Sequence, residues 1–152
     1  MKRVRGIYSV LLQIPKDLTL EVGGLGSVSF LDGFYVYTGS AMGSGGISAR
    51  ISRHLHTEKK MFWHIDYLIG NPNVKVLALF RAESKQKLEC NVNKSIVSNL
   101  DTSIISGFGS SDCRESCGGH LLFLKDTGFQ GCLRGVGEAY LASGLNPVST
   151  LV

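Results

Sequence analysis

Short runs of the chain alternate apolar and polar positions with a period of two, which is the pattern of β-strands. The first, "GIYSVLLQI" at residues 6–14, is rich in β-branched and aromatic residues and is followed by Pro15, which cannot donate within a sheet. Residues 18–30 contain two shorter runs separated by glycines, which predicts a hairpin. Three later runs predict further strands: "GFYVYTGSA" (33–41), "NVKVLALFRA" (73–82) and "GHLLFLKD" (119–126).

Other segments have the spacing of amphipathic helices. Ile47, Ile51 and Leu55 recur at i, i+4 and i+8 in "ISARISRHLH" and predict its buried stripe. In "KLECNVNKSIVSNL" (87–100) the predicted inward positions are Val92, Ile96, Val97 and Leu100. Two shorter helices are predicted at "FWHIDYLIGN" (62–71) and "VGEAYLASG" (136–144).

Strands first, then mixed helices and strands, predict an α+β fold. We expect a small, mainly antiparallel central sheet flanked by helices. Since no linker or low-complexity segment interrupts residues 1–152, we expect one domain.

Composition narrows the class of protein. The chain has 43% hydrophobic residues, and no stretch approaches the roughly 18 apolar residues of a membrane helix. The opening "MKRVRGIYSVLLQIPKD" lacks a small-residue cleavage site, so we interpret it as a first strand and expect a cytoplasmic protein without membrane contact. A net charge of +4 is compatible with a nucleic-acid partner without establishing one.

Two tyrosines lie inside the strand patterns. Tyr8 shares a face with Val10 in the first strand, and Tyr37 shares a face with Gly39 in the strand predicted at residues 33–41. If these strands pair, the two phenols lie close together at one end of the sheet. Packing alone is the alternative, because tyrosine is common in strands.

The helix after "MGSGG" carries a basic flank. Arg50 and His54 are four residues apart and therefore neighbours beside the buried stripe, with Arg53 further round. A guanidinium there suits a phosphate, which it binds through its planar fork. A solvated basic surface is the alternative.

Glu89 begins the inward face of its predicted helix, three residues before Val92. A buried carboxylate needs a cation, a metal ion or hydrogen-bond donors. The alternative is a first-turn glutamate stabilised by the helix dipole.

The four cysteines allow several states. "DCRESCGGH" places Cys113, Cys117 and His120 at C-x3-C-x2-H spacing, with Cys90 or Cys132 as a fourth candidate ligand for structural zinc. The usual C-x2-C spacing is absent, so we expect unligated thiols rather than zinc or a disulfide.

His64 and Asp66 in "WHIDY" form a second candidate metal pair. Residues two apart on a helix do not face each other, so a joint metal site is not expected there.

Four segments taken together resemble the GIY-YIG nuclease family. They are "GIY" at Gly6–Tyr8, "YTG" at Tyr37–Gly39, "ARISRH" at Ala49–His54, and Glu89 at the start of a helix. The resemblance covers residues 6–100, and "FWHIDYLI" and "GFGSSDC" are similar to a less characterised, mostly archaeal branch. Two features depart from the family pattern: Thr38 replaces the usual isoleucine, and an extra hairpin at about residues 18–30 lengthens the gap between triplets. Residues 101–152 then form a C-terminal extension.

The resemblance implies a metal-dependent endonuclease that hydrolyses phosphodiester bonds in DNA, in repair or in processing of unusual structures. It implies one Mg²⁺ or Mn²⁺ ion with Glu89 as its sole protein ligand, and Tyr8 as a base with a lowered pKa. Arg50 would stabilise the phosphoryl oxygens, Tyr37 would orient water or phosphate, and His54 would support or relay a proton. The implied substrate-binding residues are Gly39, Ser40 and Arg53.

A catalytically silent nucleic-acid-binding module with the same fold is the alternative function. For either function DNA is expected rather than RNA. Because we expect no second domain for targeting, we expect specificity to come from a homodimer, from the extra hairpin or from a partner protein.

Overall fold

The computed structural model describes residues 4–56, 61, 63–109 and 118–152. Over these residues the chain forms eight strands and four helices, in the order β1 (Gly6–Ile14), β2 (Leu18–Glu21), β3 (Ser27–Phe30), β4 (Gly33–Ala41), α1 (Gly46–Leu55), α2 (His64–Ile69), β5 (Lys75–Glu83), α3 (Glu89–Asn99), β6 (Thr102–Ile104), β7 (Leu121–Leu124), α4 (Phe129–Ala142) and β8 (Val148–Leu151).

Six strands form one antiparallel sheet in the spatial order β6-β7-β4-β1-β5-β8. Strand β1 lies between β4 and β5, and its residues are buried on both faces except at Gln13. The predicted α+β class with a mainly antiparallel central sheet is confirmed.

The alternation of β1 divides the core into two layers. Tyr8, Val10 and Leu12 face α1, α2 and the β2–β3 hairpin, whereas Ile7 and Leu11 face α3 and α4. Helices therefore cover both faces of the sheet, which explains why the central strands are apolar on both sides.

The buried stripes of two helices differ from the predicted ones. Leu55 is 42% exposed and His54 is fully buried, so the inward positions of α1 are i, i+4 and i+7 rather than i+8. Val97 is likewise 40% exposed in α3. Glu89 and Asn93 are buried there with Val92 and Ile96, so part of the inward face of α3 is polar.

The C-terminal residues belong to the sheet rather than to an appendage. They supply β6, β7 and β8, of which the sequence pattern predicts only β7. Helix α4 begins at Phe129, seven residues before the predicted start, because Gly131 and Gly135 weaken the helical pattern. Gly135 is needed for packing, since an added Cβ would lie 2.6 Å from the Leu100 side chain.

The predicted hairpin is present as a separate two-stranded sheet, β2–β3. It is anchored by Val22 and Phe30, which are buried in the same layer as Tyr8. The Phe30 ring packs edge-on against Phe108, with centroids 6.3 Å apart. The hairpin therefore supports the loop that follows β6.

A buried polar cluster links β1, β4 and α4. The hydroxyl of Ser9 lies 2.7 Å from Thr38 Oγ1 and 2.7 Å from the Tyr140 hydroxyl. All three side chains are fully buried, so each hydroxyl depends on the others for its hydrogen bonds. Thr38, the departure from the usual triplet, thereby joins the second triplet to the C-terminal helix.

No helix in the described ranges is long and apolar enough to cross a membrane.

Candidate active site

The pairing of β1 with β4 brings the two tyrosines together. Val10 is the register partner of Tyr37, and Tyr8 is the partner of Gly39. The rings of Tyr8 and Tyr37 lie 6.3 Å apart, which confirms the predicted proximity. Gly39 makes room for this arrangement, because an added Cβ would lie 2.8 Å from the Tyr8 hydroxyl.

Helix α1 places a basic group and an imidazole beside these phenols. Its glycine-rich start includes Gly46, whose φ of 67° favours glycine and turns the chain into the helix. His54 is fully buried, with Nε2 2.8 Å from the Tyr8 hydroxyl. Arg50 donates from Nη1 to the Ser40 carbonyl oxygen at 3.2 Å, and its guanidinium lies 4.4 Å from the centroid of Trp63.

Arg53, predicted to bind substrate, has a different environment. Its Nη1 pairs at 2.8 Å with Oδ1 of the fully buried Asp66, and its guanidinium lies 4.2 Å from the Trp63 ring. Asp66 also accepts the Trp63 amide hydrogen on Oδ2 at 2.8 Å, and its Oδ1 is 3.9 Å from His54 Nδ1. Arg53 thus neutralises a buried carboxylate and is not part of the wall of the cavity described next.

A cavity of about 390 Å³ opens at the end of β4. Five predicted site residues line it: Tyr37, Gly39, Ser40, Arg50 and Glu89. Neither Tyr8 nor His54 belongs to its wall; both lie beneath it, joined by the hydrogen bond between them.

Glu89 is the carboxylate of this cavity. It is 6% exposed at the first turn of α3, as the inward position in the sequence pattern predicts. The Ser40 hydroxyl donates to its Oε2, and the Lys87 ammonium lies 3.9 Å from its Oε1. The Glu89 carboxylate has the Ser40 hydroxyl on one side and the mobile ammonium group of Lys87 on the other. Such a carboxylate can bind either a metal ion or a positively charged group.

Trp63, His64, Lys87 and His120 also line the cavity. The sequence pattern indicates His64 and His120 only as candidate metal ligands and assigns none of the four to this site. Lys87 lies two residues before Glu89 and could have been found from that spacing. His64 belongs to a segment noted in the sequence, but its face could not be assigned. His120 comes from the residues after 100, beyond the region of resemblance.

Both histidines of this wall are biased toward the neutral form. Burial lowers the pKa of His64. Burial also lowers the pKa of His120, against the opposing effect of the Glu89 carboxylate. His120 Nε2 lies 3.6 Å from the sulfur of Cys90. His64 lines the cavity whereas Asp66 contacts Arg53, so the two side chains face different surroundings.

Tyr8 does not have the lowered pKa that the resemblance implies. Burial raises the pKa of Tyr8 to about 12, although the charge of Arg50 and hydrogen bonds from Arg50 and Tyr37 act in the opposite direction. Burial likewise raises the pKa of Tyr37 well above its usual value. Desolvation therefore outweighs the nearby cation, and both phenols are protonated at neutral pH.

Of the two cysteines that lie in the described residues, one departs from the expectation of free thiols. Cys90 is disulfide-bonded, whereas Cys132 is a free, buried thiol. Cys113 and Cys117, the core of the candidate zinc cluster, lie outside the described residues. Among the side chains that are described, no group of three or more His, Cys, Asp or Glu residues could hold a metal ion.

The buried phenols predict a steep loss of stability at alkaline pH. The pKa of Tyr8 and of Tyr35 is raised by burial to about 12, and burial also raises the pKa of Tyr37 and Tyr140. Between pH 10 and 12 the unfolded chain loses phenolic protons that the folded chain keeps, so the free energy of unfolding falls as pH rises. We expect tyrosinate absorbance and loss of circular dichroism to appear together above pH 10. Ionisation of these four phenols near pH 10 while the circular dichroism stays unchanged would contradict this prediction.

Comparison with known proteins gives one match. A protein-family model described as "Domain of unknown function DUF123" matches residues 7–140. No curated protein and no solved structure matches the chain. The match extends from the second residue of β1 into α4 and includes every residue of the cavity wall named above. The chain therefore belongs to the DUF123 family.

Proposed function

We propose that the protein is a divalent-metal-dependent endonuclease of the GIY-YIG type that hydrolyses phosphodiester bonds in DNA. The observation that carries the proposal is the buried carboxylate of Glu89 in a cavity whose wall also holds Arg50, Lys87 and the Tyr37 phenol. Cationic donors facing a carboxylate suit a phosphodiester, because its anionic oxygens need positive charge on one side and a metal ion on the other.

Arg50 and Lys87 would bind the scissile phosphate. The Arg50 guanidinium is held by the Ser40 carbonyl and the Trp63 ring, so its fork is oriented before substrate arrives. The Lys87 side chain is 56% exposed and can move from Glu89 to a phosphate oxygen. The two cations would neutralise the charge that develops during hydrolysis.

The oxygen donors at the cavity fit a hard divalent cation. Glu89 supplies the carboxylate and Ser40 a hydroxyl next to it, a set that suits Mg²⁺ or Mn²⁺ better than Zn²⁺. When bound there, such an ion would supply Lewis-acid stabilisation of charge on the phosphate oxygens. Glu89 would hold it together with water.

The tyrosines and His54 would move the proton of the attacking water. Tyr37 lines the cavity beside Tyr8, with ring centroids 6.3 Å apart, and the Tyr8 hydroxyl lies 2.8 Å from His54 Nε2. As the Tyr37 oxygen takes the proton of the attacking water, Tyr37 would pass its own phenolic proton to Tyr8 and Tyr8 would pass its proton to His54 Nε2, so no free phenolate would form. The Asp66 carboxylate, 3.9 Å from His54 Nδ1, would stabilise the imidazolium. This relay replaces the role of Tyr8 as a low-pKa base.

The test is a cleavage assay with the full chain. Labelled duplex, branched, damaged and single-stranded DNA, with matching RNA, are incubated in Mg²⁺, in Mn²⁺ or in excess chelator. We expect cleavage of at least one DNA in either metal, and its loss on chelation. The Glu138→Gln variant, which changes an exposed carboxylate of α4, should cleave as wild type does.

Two outcomes would overturn the proposal. Binding without cleavage on every substrate would favour the silent binding module. Cleavage that persists in chelator would remove the metal from the mechanism. Gel filtration with and without DNA tests whether a homodimer, rather than a separate partner protein, provides targeting.

A further inference from the structure

His64 lines the cavity opposite the first triplet, in a position that the proposed mechanism does not use. It is the first residue of α2, and its ring is fixed by two contacts. The backbone N–H of Gly109 donates to Nδ1 at 2.8 Å, and the Phe108 ring packs edge-on against it with centroids 5.5 Å apart. Phe108 in turn packs against Phe30 of the hairpin. The ring is therefore held in one orientation by the loop that follows β6, which in turn packs against the hairpin.

The Gly109 contact determines where the ring carries its proton. A backbone N–H can only donate, so Nδ1 must accept with its lone pair. The neutral ring then carries its hydrogen on Nε2. Protonation of Nδ1 would set two N–H groups against each other, so this contact also opposes the charged form, as burial does.

We propose that His64 is a catalytic residue whose Nε2–H donates a hydrogen bond to a non-bridging oxygen of the bound phosphodiester. Its Nδ1 is occupied by Gly109 and cannot take a proton, so His64 acts neither as a base nor as an imidazolium acid. A fixed neutral donor stabilises the charge that develops on the phosphate without a competing proton transfer. This inference rests on the proposed nuclease function.

The contacts that orient His64 give the hairpin and the loop after β6 a role in the site. In the resemblance to GIY-YIG nucleases these segments are an insertion and an extension, yet Phe30, Phe108 and Gly109 together orient one side chain of the cavity. Arg50 and Lys87 contribute charge from one side, and His64 adds a directional donor from α2. The two kinds of contact are independent and can be tested separately.

The first experiment measures the tautomer and the contact. Long-range ¹H–¹⁵N correlation spectra of the labelled full chain at neutral pH should show His64 protonated on Nε2, with its signals assigned by their loss in His64→Gln. Adding a short single-stranded phosphorothioate DNA, which resists cleavage, should shift the Nε2 signals of His64. The signals of exposed His56 serve as the control and should stay in place.

The second experiment measures kinetics. His64→Leu fills the volume but removes the donor, and we expect kcat to fall about 100-fold with KM within a few-fold. His64→Gln restores an N–H donor and should recover at least tenfold of that loss. The His56→Gln variant should match wild type. Melting temperatures of the Leu and Gln variants show whether a change in folding accounts for the loss.

Three results would overturn the inference: an Nδ1–H tautomer, an unchanged kcat in His64→Leu, or equal losses in the Leu and Gln variants. Its failure is distinguishable from failure of the proposed function. Wild-type cleavage with an unaffected His64→Leu variant refutes only the role of His64. A shift of the Nε2 signals without cleavage by wild type refutes the nuclease activity and supports the phosphate contact, whereas neither shift nor cleavage refutes both.

Discussion

On the proposed function, replacing Glu89 with glutamine is expected to lower the rate of DNA cleavage by about a thousandfold or more, because the proposed metal ion would lose the carboxylate that holds it. The substitution keeps the size and the acceptor oxygen that the Ser40 hydroxyl uses. A metal ion contributes several kcal/mol to a phosphoryl-transfer barrier, and each 1.36 kcal/mol is about a factor of ten in rate. Binding of DNA should be retained or strengthened, since a negative charge leaves a cavity that also holds Arg50 and Lys87.

The matched measurements separate chemistry from folding. Single-turnover cleavage and fluorescence-anisotropy binding are compared for wild type, Glu89→Gln, Glu89→Asp and the exposed control Glu138→Gln. Glu89→Asp keeps the negative charge but places the carboxylate one methylene further from the proposed metal ion. This variant should therefore retain partial activity, which should rise with metal concentration. A Glu89→Gln variant that cleaves at the wild-type rate would show that the carboxylate serves only to pair Lys87 and Ser40.

The central pair of strands could be predicted because its pattern is local. Alternation in residues 6–14 and 33–41 defines which side chains share a face, and pairing of the two strands then places Tyr8 near Tyr37. The inward position of Glu89 follows in the same way from the period of α3. These features depend on one or two segments at a time.

The rest of the cavity depends on contacts that no single segment encodes. His120 reaches the site because β7 pairs with β4, and His64 is fixed by the amide of Gly109, 45 residues away. Neither contact leaves a periodic signal in the sequence. Strand β8 was missed for a related reason, since all four of its residues are exposed at the edge of the sheet.

The corrected role of Tyr8 shows which of two opposing effects dominates. The resemblance to GIY-YIG nucleases implies a phenol pKa that nearby cations lower. In the fold the phenol is fully buried, and desolvation raises its pKa to about 12 despite Arg50. Burial depth is set by α1 and α2 packing over β1, which the spacing of the motif does not reveal.

Thr38 is the opposite case, because its departure from the GIY-YIG triplet pattern that the sequence resembles has a structural explanation. An isoleucine at this position would leave a buried cluster with one hydroxyl fewer, where Thr38 contacts Ser9 and Ser9 contacts Tyr140. Ser9 would keep Tyr140 as its partner but lose the hydrogen bond to Thr38, and a typical hydrogen bond contributes about 0.5–1.5 kcal/mol. Thr38 therefore belongs with Tyr140 of α4, not with the chemistry on the other face of β4.

Replacing Arg50 with alanine is expected to lower kcat by about 10³-fold, which is the low end of the effect of an arginine that stabilises phosphoryl transfer. Arg50→Lys keeps the charge but loses the planar fork, the bond to the Ser40 carbonyl and the contact with Trp63. The activity of Arg50→Lys should therefore lie between that of wild type and that of Arg50→Ala. The exposed control Arg134→Ala should match wild type. Kinetics with a fixed DNA substrate and thermal unfolding are measured for each variant.

Arg53, three residues along the same helix, provides the contrasting result. Arg53 pairs with the buried carboxylate of Asp66, so Arg53→Ala should destabilise the fold by about 3 kcal/mol because that carboxylate loses its arginine partner. Cleavage by the fraction that remains folded should change far less than in Arg50→Ala. If instead Arg50→Ala lowers only the melting temperature and Arg53→Ala lowers only kcat, the assignment of the two arginines is reversed. Such a reversal would move the phosphate site from the cavity to the Asp66 side of α1.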